Sequence, residues 1–472
     1  MTRHKVVLYN PHAVFYTMPL ALVTIASHLD RERFDPVLID GRLEEDPVAA
    51  VLRELDGALC LGVTVLTGAP IHDAIRVTRA ARRHRPDLPV VWGGWHPSMF
   101  GTECLDEPAV DVTVQGQGEV TFAEVVERLA AGESLEGCQG TCYRAPDGTV
   151  RRNPPRPLRD LNELAPHDYT LIDVERFFEI KGKRQLDYIS SQGCAFRCAF
   201  CADPFVYQRK WTGLSPERMG EEIEALWRRH RFDDVNFQDE TFFTYAKRVE
   251  AVADEFIRRQ LPITWAATMR ADQCHRLPEE VFAKCKRSGL RRVLIGVESG
   301  SQEMIDRIRK DIKIEQVFFA AERCRSHGVA VNFPFIVGFP EETDESVAAT
   351  LDVAKRLRAM SPDFQTPFFY FKPYPGTSIT EDAVRNGFSL PCDLEEWSAF
   401  DFVGSVGGPW VSPEKFRLIE NFKFYQQVAW DRASAWTQPV QRLARWRCRK
   451  DFYALPVEKV LSHWLRPPVQ LS

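Results

Sequence analysis

The chain has 472 residues, which is more than one ordinary hydrophobic core accommodates, so two or three domains are expected. Its 61 lysines and arginines against 66 aspartates and glutamates give a net charge of −5, which offers no electrostatic reason to expect a nucleic acid partner. The apolar fraction of 44% is typical of globular proteins, and because no run approaches 18 apolar residues, no transmembrane segment is expected.

The first residues and the cysteine content predict a cytoplasmic location. The N-terminal apolar run is too short for a signal peptide, because it ends at Asn10-Pro11. Twelve cysteines without an export signal are expected as thiols or metal ligands rather than as disulfides.

Residues 1–140 alternate strand-like and helix-like patterns. The run 58–65 is almost wholly apolar, as in a parallel strand that is buried on both faces. The pattern predicts a doubly wound α/β sheet, in which a ligand lies at the carboxyl ends of the strands. The predicted strands are 5–9, 34–40, 58–65, 89–92 and 110–114, with helices at 18–29, 46–55, 71–84 and 120–131.

The loops at these strand ends are rich in glycine and threonine, which lets their backbone approach a bulky ligand closely. Ordinary strand-to-helix turns are the alternative interpretation. The candidate ligand-binding residues in these loops are Asn10, Thr64, Thr67, Gly93, Gly94, His96, Gly116, Gly118 and Glu119.

A hairpin around Pro146-Asp147-Gly148 and a proline-rich segment at 154–157 predict a linker over residues 141–184. Residues 185–378 then resume the alternation with six strand candidates, which is short of a full eight-stranded barrel. These strands are predicted at 186–190, 234–238, 263–267, 292–297, 330–337 and 364–371, with helices at 216–230, 245–260, 279–288, 314–328 and 344–360.

Three cysteines follow the first of these strands with C-x3-C-x2-C spacing: Cys194, Cys198 and Cys201. Three thiolates on one loop can hold three irons of a [4Fe–4S] cluster and leave the fourth iron open, whereas such clusters normally take four cysteines. Structural zinc is an alternative, but it would require a fourth ligand nearby, and no second C-x2-C motif is present. Unrelated buried cysteines are the remaining interpretation.

This loop, with the aromatic Phe200 before the last cysteine, resembles the signature of the radical S-adenosylmethionine (SAM) superfamily. The resemblance implies a partial (β/α)6 barrel, SAM chelated to the fourth iron, and an external electron donor of the flavodoxin or ferredoxin type. An electron from the cluster would then cleave SAM to methionine and a 5′-deoxyadenosyl radical.

The resemblance also implies a SAM site at the ends of the later strands. Asp239 and Glu240 match the position that contacts the SAM amino group, although the usual Gly-Gly-Glu is here Gln-Asp-Glu. Arg270 would pair with the SAM carboxylate, and Glu298, with Ser299 nearby, would bind the ribose. The segment Pro334–Glu341 resembles a G-x-I-x-G-x-x-E motif in which Ile336 packs on adenine while Gly338 and Glu341 shape the turn.

The Gly-Gly-x-His-Pro-Ser and Gly-x-Gly-Glu segments of residues 1–140 look like the cobalamin-binding domain of one radical SAM class. A doubly wound domain that has lost its cofactor is the alternative. The loop that would match a D-x-H-x-x-G motif keeps His12 and loses both Asp and Gly, so neither His12 nor His96 is expected to ligate cobalt.

The β/α pattern stops near residue 380, and residues 379–472 are predicted as a helical cap that buries its aromatic face on the barrel. Residues 413–472 carry eleven Lys and Arg against five Asp and Glu, which leaves contact with a membrane surface or lipid substrate as an alternative. Two apolar helical stripes are predicted, at Leu418, Phe422, Tyr425 and Ala429, and at Val457, Val460, Leu461 and Trp464.

The sequence therefore predicts a cobalamin-dependent radical SAM enzyme that methylates an unactivated carbon. The sequence also resembles the branch that contains the anaerobic magnesium-protoporphyrin ester cyclase and hopanoid-modifying enzymes. An oxidative or ring-forming reaction without methyl transfer is therefore the alternative. A non-catalytic cobalamin or redox sensor is a third. An apolar or flat substrate is suggested by aromatic residues, although barrel packing explains most of them: Phe205, Tyr207, Trp211, Phe242, Phe243, Phe368 and Tyr370.

Overall fold

The computed structural model describes residues 3–401, 407–431, 438–453, 456 and 458–459. These residues form two mainly parallel sheets with helices around them, followed by a helical C-terminal region. The second apolar stripe predicted near the C-terminus, from Val457 to Trp464, lies outside the described residues.

The first sheet has seven strands in the order β2-β1-β3-β4-β5-β6-β7. Strands β1 to β5 are parallel, and β1 pairs with β2 on one side and with β3 on the other. The strands are β1 (His4–Asn10), β2 (Phe34–Asp40), β3 (Ala58–Thr64), β4 (Val90–Gly93), β5 (Val112–Val114), β6 (Thr141–Arg144) and β7 (Val150–Arg152).

The predicted hairpin forms β6 and β7, but it belongs to the first sheet rather than to a linker. Strand β6 pairs antiparallel with β5, with Val112 opposite Tyr143, so the sheet continues past residue 140 to Arg152. The helices that cover this sheet are α1 (Leu20–Ser27), α2 (Pro47–Glu54), α3 (Ala69–His84), α4 (Trp95–Met99) and α5 (Gly118–Ala131).

The second sheet has six parallel strands whose spatial order, β8-β11-β12-β13-β14-β16, follows the chain. This is the order expected of successive βα units in a partial barrel. Two further strands pair as β15-β17, and a short antiparallel ribbon pairs β9 with β10. The strands are β8 (Gln185–Tyr188), β9 (Ser191–Gly193), β10 (Trp211–Gly213), β11 (Asp234–Phe237), β12 (Thr264–Met269), β13 (Leu290–Ile295), β14 (Ala330–Asn332), β15 (Phe335–Val337), β16 (Phe364–Gln365) and β17 (Phe368–Tyr370).

The last two predicted barrel strands are each divided in two by a proline. Pro334 separates β14 from β15, and Pro367 separates β16 from β17. Proline has no N–H to donate to a ladder, so the pairing breaks at these points and resumes one step later. The Phe335 N–H donates to the Pro367 carbonyl oxygen at 2.9 Å, which joins the two breaks.

Five helices around the second sheet agree with the predicted ones to within two residues at each end, and two of them begin at clear capping residues. Ser215 and Thr343 accept hydrogen bonds from the backbone N–H groups of Arg218 and Ser346. These helices are α6 (Val174–Lys181), α7 (Asp203–Val206), α8 (Pro216–His230), α9 (Ala246–Arg258), α10 (Ala271–Arg276), α11 (Glu279–Arg287), α12 (Gln302–Arg307), α13 (Ile314–Ser326) and α14 (Asp344–Met360).

The C-terminal helices are α15 (Ser378–Arg385), α16 (Leu394–Ser398), α17 (Pro413–Ala429) and α18 (Gln438–Lys450). The predicted stripe of α17 is buried on the barrel, where Phe422 packs edge-to-face on Phe368. Helix α16 instead packs on the first sheet's helices, and its Trp397 contacts Phe100 with ring centroids 4.7 Å apart. The region therefore covers both sheets rather than the barrel alone.

Among the described residues, no helix is long and apolar enough to cross a membrane.

Candidate active site

The cysteine loop is closed at its base by the β9-β10 ribbon, where Gly193 pairs with Trp211. Gly193 has φ +79°, and a Cβ at this position would lie 2.3 Å from the Lys210 carbonyl oxygen. Only glycine fits this close approach, so the residue directly before Cys194 fixes how the loop leaves the ribbon.

Asp239 anchors the segment that leads into the cysteine loop. Its buried carboxylate accepts hydrogen bonds from Ser190 N at 2.7 Å, Ser190 Oγ at 2.7 Å and Ser191 Oγ at 2.6 Å. Its backbone carbonyl oxygen accepts from Thr268 Oγ1 at 2.7 Å. The side chain expected to meet the SAM amino group is thus engaged with its own chain.

The three thiols of Cys194, Cys198 and Cys201 are half-buried on one loop. Burial raises the pKa of Cys194 and of Cys201, so both stay protonated unless a cation replaces the proton. Arg270 Nη1 lies 3.6 Å from Cys198 Sγ and supplies positive charge beside the third thiol. These donors fit an iron–sulfur cluster, whose thiolates need such compensation.

The geometry does not favour a single ion. Within the described residues, no group of three His, Cys, Asp or Glu side chains is arranged around one metal position. Thiolates on one zinc ion would lie about 3.8 Å apart, as follows from the tetrahedral Zn–S bond length, whereas cluster thiolates bind different irons.

Arg270 is buried against the cysteine loop and follows β12. Its Nε donates to Asp272 Oδ1 at 2.9 Å, its Nη2 donates to the Lys310 carbonyl oxygen, and its guanidinium carbon lies 3.8 Å from the centre of the Phe196 ring. Since a guanidinium carries five N–H donors, Arg270 keeps donors for another anion beside Cys198.

Glu298 follows β13 in a left-handed conformation, with φ +67°. Its Oε1 lies 2.6 Å from Lys310 Nζ, and both side chains are buried. Non-glycine residues seldom adopt this backbone conformation, which tends to occur at functional sites. Ser299, by contrast, turns its hydroxyl to within 3.1 Å of Thr350 Oγ1, which places it against α14.

The segment after β15 differs from the prediction by one residue. The Gly338 N–H donates to Glu342 Oε2 at 2.5 Å, so Glu342 shapes this turn. Glu341 instead pairs with Arg307 at 2.6 Å on the surface. Burial raises the pKa of Glu342 to about 7.

The remaining predicted SAM contacts lie close to these groups. Ile336 is half-buried, and its N–H donates to the Glu298 carbonyl oxygen at 2.8 Å. Phe200 packs edge-to-face on Phe339, and Lys310 Nζ lies 5.8 Å from its ring centre. Ile336 and Phe200 are therefore both neighbours of the Glu298–Lys310 pair.

A cavity of about 360 Å³ lies between the two sheets. From the first sheet it is lined by strand-end residues, and from the second by residues next to the cysteine loop. The predicted residues that line it are Asn10, Thr64, Gly93, Gly94, Gly116, Gly118, Glu119 and Glu240, and they are joined by Gln117, Gln192, Tyr207 and Gln238.

The glycines of this cavity bring backbone to its wall. Gly94 has φ +99°, and a Cβ there would lie 2.9 Å from Thr64 Oγ1 and 3.0 Å from Val65 N. Gly116 has φ +69°, and a Cβ at this position would have no neighbouring atom within 4 Å among the described residues. A mainly apolar cleft with glycine edges at successive strand ends fits a large planar cofactor such as a corrin.

Three histidine and threonine positions lie away from this cavity. His96 is fully buried, its Nδ1 lies 3.1 Å from Thr67 Oγ1, and its ring packs on Phe100 and Trp397 beside a second cavity. The expectation that His96 and Thr67 contact cobalamin is therefore not supported by their placement. His12 is exposed and does not line the cavity between the sheets.

Glu240 lines the cavity between the sheets. Its Oε2 is buried and has no hydrogen-bond partner among the described residues, and burial raises the pKa of Glu240 to about 8. A neutral carboxyl group at this place can donate a hydrogen bond to a bound molecule.

Of the aromatic residues considered for substrate contact, one lines the cavity and four lie in the barrel core. Tyr207 lines the cavity and packs edge-to-face on Trp95, which joins the two sheets. The residues Phe242, Phe243, Phe368 and Tyr370 are buried in the barrel core.

Four polar residues of the site were not predicted: Gln117, Gln192, Lys310 and Glu342. A lysine three residues after the end of α12, or a glutamine two residues before a cysteine, carries no local signal of its own. Only the tertiary fold reveals that Lys310 pairs with Glu298 and that Gln117 pairs with Gln192.

Comparison with known proteins gives two family matches. The radical SAM superfamily model matches residues 188–354, and the B12 binding domain model matches residues 7–126. The first match contains the cysteine loop, and the second contains the end of β1 and all of β2 to β5 with their strand-end loops. The predicted fold class, the [4Fe–4S] cluster, SAM and cobalamin are confirmed by these matches.

Among curated proteins, an uncharacterized methyltransferase of Pyrococcus horikoshii is 32% identical over 391 residues, which cover 81% of this chain and 82% of that protein. The anaerobic magnesium-protoporphyrin IX monomethyl ester cyclase of Rubrivivax gelatinosus is 28% identical over 357 residues, which cover 74% of this chain and 63% of the cyclase. Among solved structures, the radical SAM methyltransferase TsrM of Kitasatospora setae has a TM-score of 0.74 at 17% identity and covers 97% of this chain and 100% of its own. At this identity, the similarity to TsrM shows a shared fold.

Proposed function

Because the chain belongs to the cobalamin-dependent radical SAM methyltransferase family, we propose that it moves a methyl group from SAM to an unactivated carbon of a small-molecule substrate. Its cofactors are a [4Fe–4S] cluster, SAM and cobalamin. When bound, the cluster and SAM supply a 5′-deoxyadenosyl radical that abstracts hydrogen, and cobalamin carries the methyl group.

One observation carries this proposal: the cavity between the sheets is lined from both sides. Gly94 and Glu119 line it from the strand ends of the first sheet, and Gln192 and Glu240 line it from the second. A cofactor held by the first sheet therefore faces the segment that leads to Cys194. A methyl carrier must lie this close to the SAM site, because transfer requires reacting groups in near contact.

Cys194, Cys198 and Cys201 would hold the cluster, and Arg270 would stabilise negative charge beside Cys198. The guanidinium already donates to Asp272 and to the Lys310 carbonyl oxygen, which fixes its orientation. Its remaining N–H groups suit the SAM carboxylate, since a guanidinium matches a carboxylate in geometry.

Glu298 would bind the SAM ribose, with its carboxylate held in place by Lys310 at 2.6 Å. Ile336, whose N–H donates to the Glu298 carbonyl oxygen, would pack on the adenine, and Gly338 would keep the turn open beside it. Ser299 would support the turn through Thr350 and not contact SAM.

Asp239 would position the cysteine loop, and Glu240 would donate a hydrogen bond into the cavity. The cobalamin wall would consist of Asn10, Thr64, Gly93, Gly94, Gly116, Gly118 and Glu119, without a histidine ligand. We expect an apolar or flat substrate, a flavodoxin- or ferredoxin-type electron donor, and a cytoplasmic location.

An oxidative cyclase is the second candidate, because the Rubrivivax gelatinosus cyclase is 28% identical over 357 residues. A cyclase would use the same radical without transferring a methyl group. The two candidates share the cluster and SAM sites and differ in the fate of the SAM methyl group.

The test needs no knowledge of the substrate. Reconstituted enzyme is incubated with methyl-deuterated SAM and a strong reductant, and the nucleosides and extracted corrin are analysed by mass spectrometry. Methyl transfer predicts S-adenosylhomocysteine and a corrin that has gained one trideuteromethyl group, with free hydroxocobalamin as the unreacted control. Formation of 5′-deoxyadenosine alone, with a corrin of unchanged mass, would contradict the proposal and favour the cyclase.

A further inference from the structure

We propose that Gln192 is a positioning residue that fixes the cysteine loop to the cobalamin-binding loop and so sets the separation between the cluster and cobalt. Gln192 lies in β9, two residues before Cys194. It contacts Gln117 in the loop between β5 and α5 and Glu119 in the first turn of α5, both of which belong to the first sheet and its helices. The inference rests on the cofactor assignment, and its second readout rests on the proposed methyl transfer.

Both the nitrogen and the oxygen of the Gln192 side-chain amide form hydrogen bonds. Its Nε2 donates to Glu119 Oε1 at 2.8 Å, and its Oε1 accepts from Gln117 Nε2 at 2.9 Å. Gln117 Oε1 in turn accepts from the Arg159 N–H at 2.8 Å, which ties the linker to the same point. An amide carries a donor and an acceptor side by side on one planar group, so glutamine suits both of these neighbours.

The hydrogen-bond network of Gln192, Gln117 and Glu119 is buried. Gln192 is 7% exposed, Gln117 9% and Glu119 4%. A buried polar group that loses its hydrogen-bond partner lowers the stability of the folded state. The two loops are therefore held in the one relative position in which all three side chains are paired. All three side chains also line the cavity between the sheets, where the corrin is expected.

The chain connections are short on both sides. Gln192 is followed by Gly193, whose conformation is fixed by the Lys210 carbonyl oxygen, and then by the first cluster cysteine. Gln117 and Glu119 flank Gly118, the first residue of α5. A displacement of either loop is therefore passed on to the other, and a misplacement of about 1 Å is enough to lower a positioned reaction by about a hundredfold.

The test compares Gln192→Leu with Gln185→Leu in the holoenzyme. Gln185 is also a buried glutamine, it begins β8, and its Nε2 donates to Asp234, but it does not line the cavity. Each substitution removes a buried side-chain amide, one from β9 and the other from β8, which precedes β9 in the chain. Only the first one breaks the contact between the two sheets.

The first readout is the magnetic interaction between Co(II) and the reduced cluster, measured by pulsed electron paramagnetic resonance. The wild type and Gln185→Leu should give one narrow distance distribution, and Gln192→Leu should give a shifted or broader one. A distribution for Gln192→Leu that equals the wild-type distribution would overturn the proposal, and so would an equal change in Gln185→Leu. This readout does not depend on methyl transfer.

The second readout is the formation of nucleosides from SAM. Gln192→Leu should lower S-adenosylhomocysteine formation at least about tenfold, while 5′-deoxyadenosine formation stays within about twofold, because SAM cleavage needs only the cluster. If both products fall together, Gln192 has a general structural role and the proposal is wrong. If the wild type makes no S-adenosylhomocysteine, the proposed function fails and the first readout still decides this inference.

An exchange of partners keeps the test decisive if Gln192→Leu does not fold. Gln192→Glu alone places two carboxyl groups against each other and should disturb the distance distribution. Combined with Glu119→Gln, the amide at position 119 can donate to the carboxylate at position 192, which also accepts from Gln117. The double variant should regain the wild-type distance distribution, and a double variant no better than Gln192→Glu would refute the network.

Discussion

Replacing Lys310 by methionine should destabilise the barrel more than the loss of any surface cation. The Lys310 ammonium pairs with Glu298 Oε1 at 2.6 Å, and the two side chains are 9% and 8% exposed. Methionine keeps the volume but leaves a buried carboxylate without its cation. Removing one partner of a buried pair costs about 3–5 kcal/mol.

The magnitude converts into a measurable change of melting temperature. For a domain of about 150–250 residues, 1 kcal/mol shifts the midpoint by about 2–4 °C, so the barrel transition should fall by about 6–20 °C. The control is Lys313→Met, because Lys313 pairs with Asp306 at 3.6 Å and both side chains are more than half exposed. Such surface pairs contribute about 0–1 kcal/mol.

The assay is scanning calorimetry of the holoenzyme at neutral pH with the wild type, both single variants and Lys310→Met/Glu298→Gln. The double variant should recover most of the lost melting temperature, because it no longer buries an unpaired charge. If Lys310→Met melted within 2 °C of Lys313→Met, or if the double variant were the least stable, the buried pair would not act as described.

Three further predictions follow from the site. Cys198→Ala should reduce the iron content from about four per chain to near zero, measured by metal analysis, whereas Cys60→Ala in the first sheet should leave it unchanged. Gly94→Ala should lower retained cobalamin in absorption spectra without loss of iron, because its Cβ would meet Thr64 Oγ1 at 2.9 Å; Gly57→Ala, which has φ +72° and an open surrounding, should retain the corrin. Since burial raises the pKa of Glu342 to about 7, the folded chain keeps a proton that the unfolded chain loses near 4.5, so the melting temperature should fall as the pH rises from 4.5 to 7. Glu342→Gln should show a smaller fall, and an equal fall in both proteins would refute this assignment.

The strands of both sheets were predictable because buried parallel strands read as short apolar runs between helical periods. The run 34–40 and the helices 216–230 and 344–360 agree with the structure to the residue. The division of the last two strands was not predicted, although Pro334 and Pro367 carry the reason, because an apolar run on both sides of a proline reads as one strand.

The site was predictable as far as local motifs define it. The cysteine spacing and the glycine-rich strand ends place a cluster loop and a cofactor loop without any tertiary information. The direction in which a side chain points is not a local property of the sequence. For this reason the sequence did not show that Asp239 accepts a hydrogen bond from Ser190 or that the Ser299 hydroxyl contacts Thr350. Contacts between the two sheets, such as those of Gln192, depend on how the sheets pack and leave no pattern in the sequence.

The C-terminal region shows the same limit. The stripe of α17 predicted a buried helix face, and Phe422 and Tyr425 are indeed buried. The contact of Trp397 with Phe100 on the first sheet was not predicted, because α16 is a five-residue helix with too few positions to show a period.

We propose that one cavity brings cobalamin from the first sheet next to the cluster loop of the second. Anomalous diffraction from crystals of the reconstituted enzyme, collected at the cobalt and iron absorption edges, tests this most directly. We expect a cobalt peak in the cavity between Gly94, Gly116 and Glu240, without a histidine ligand, and an iron peak at Cys194, Cys198 and Cys201. A cobalt peak bound by His96 or His12, or one outside this cavity, would contradict it.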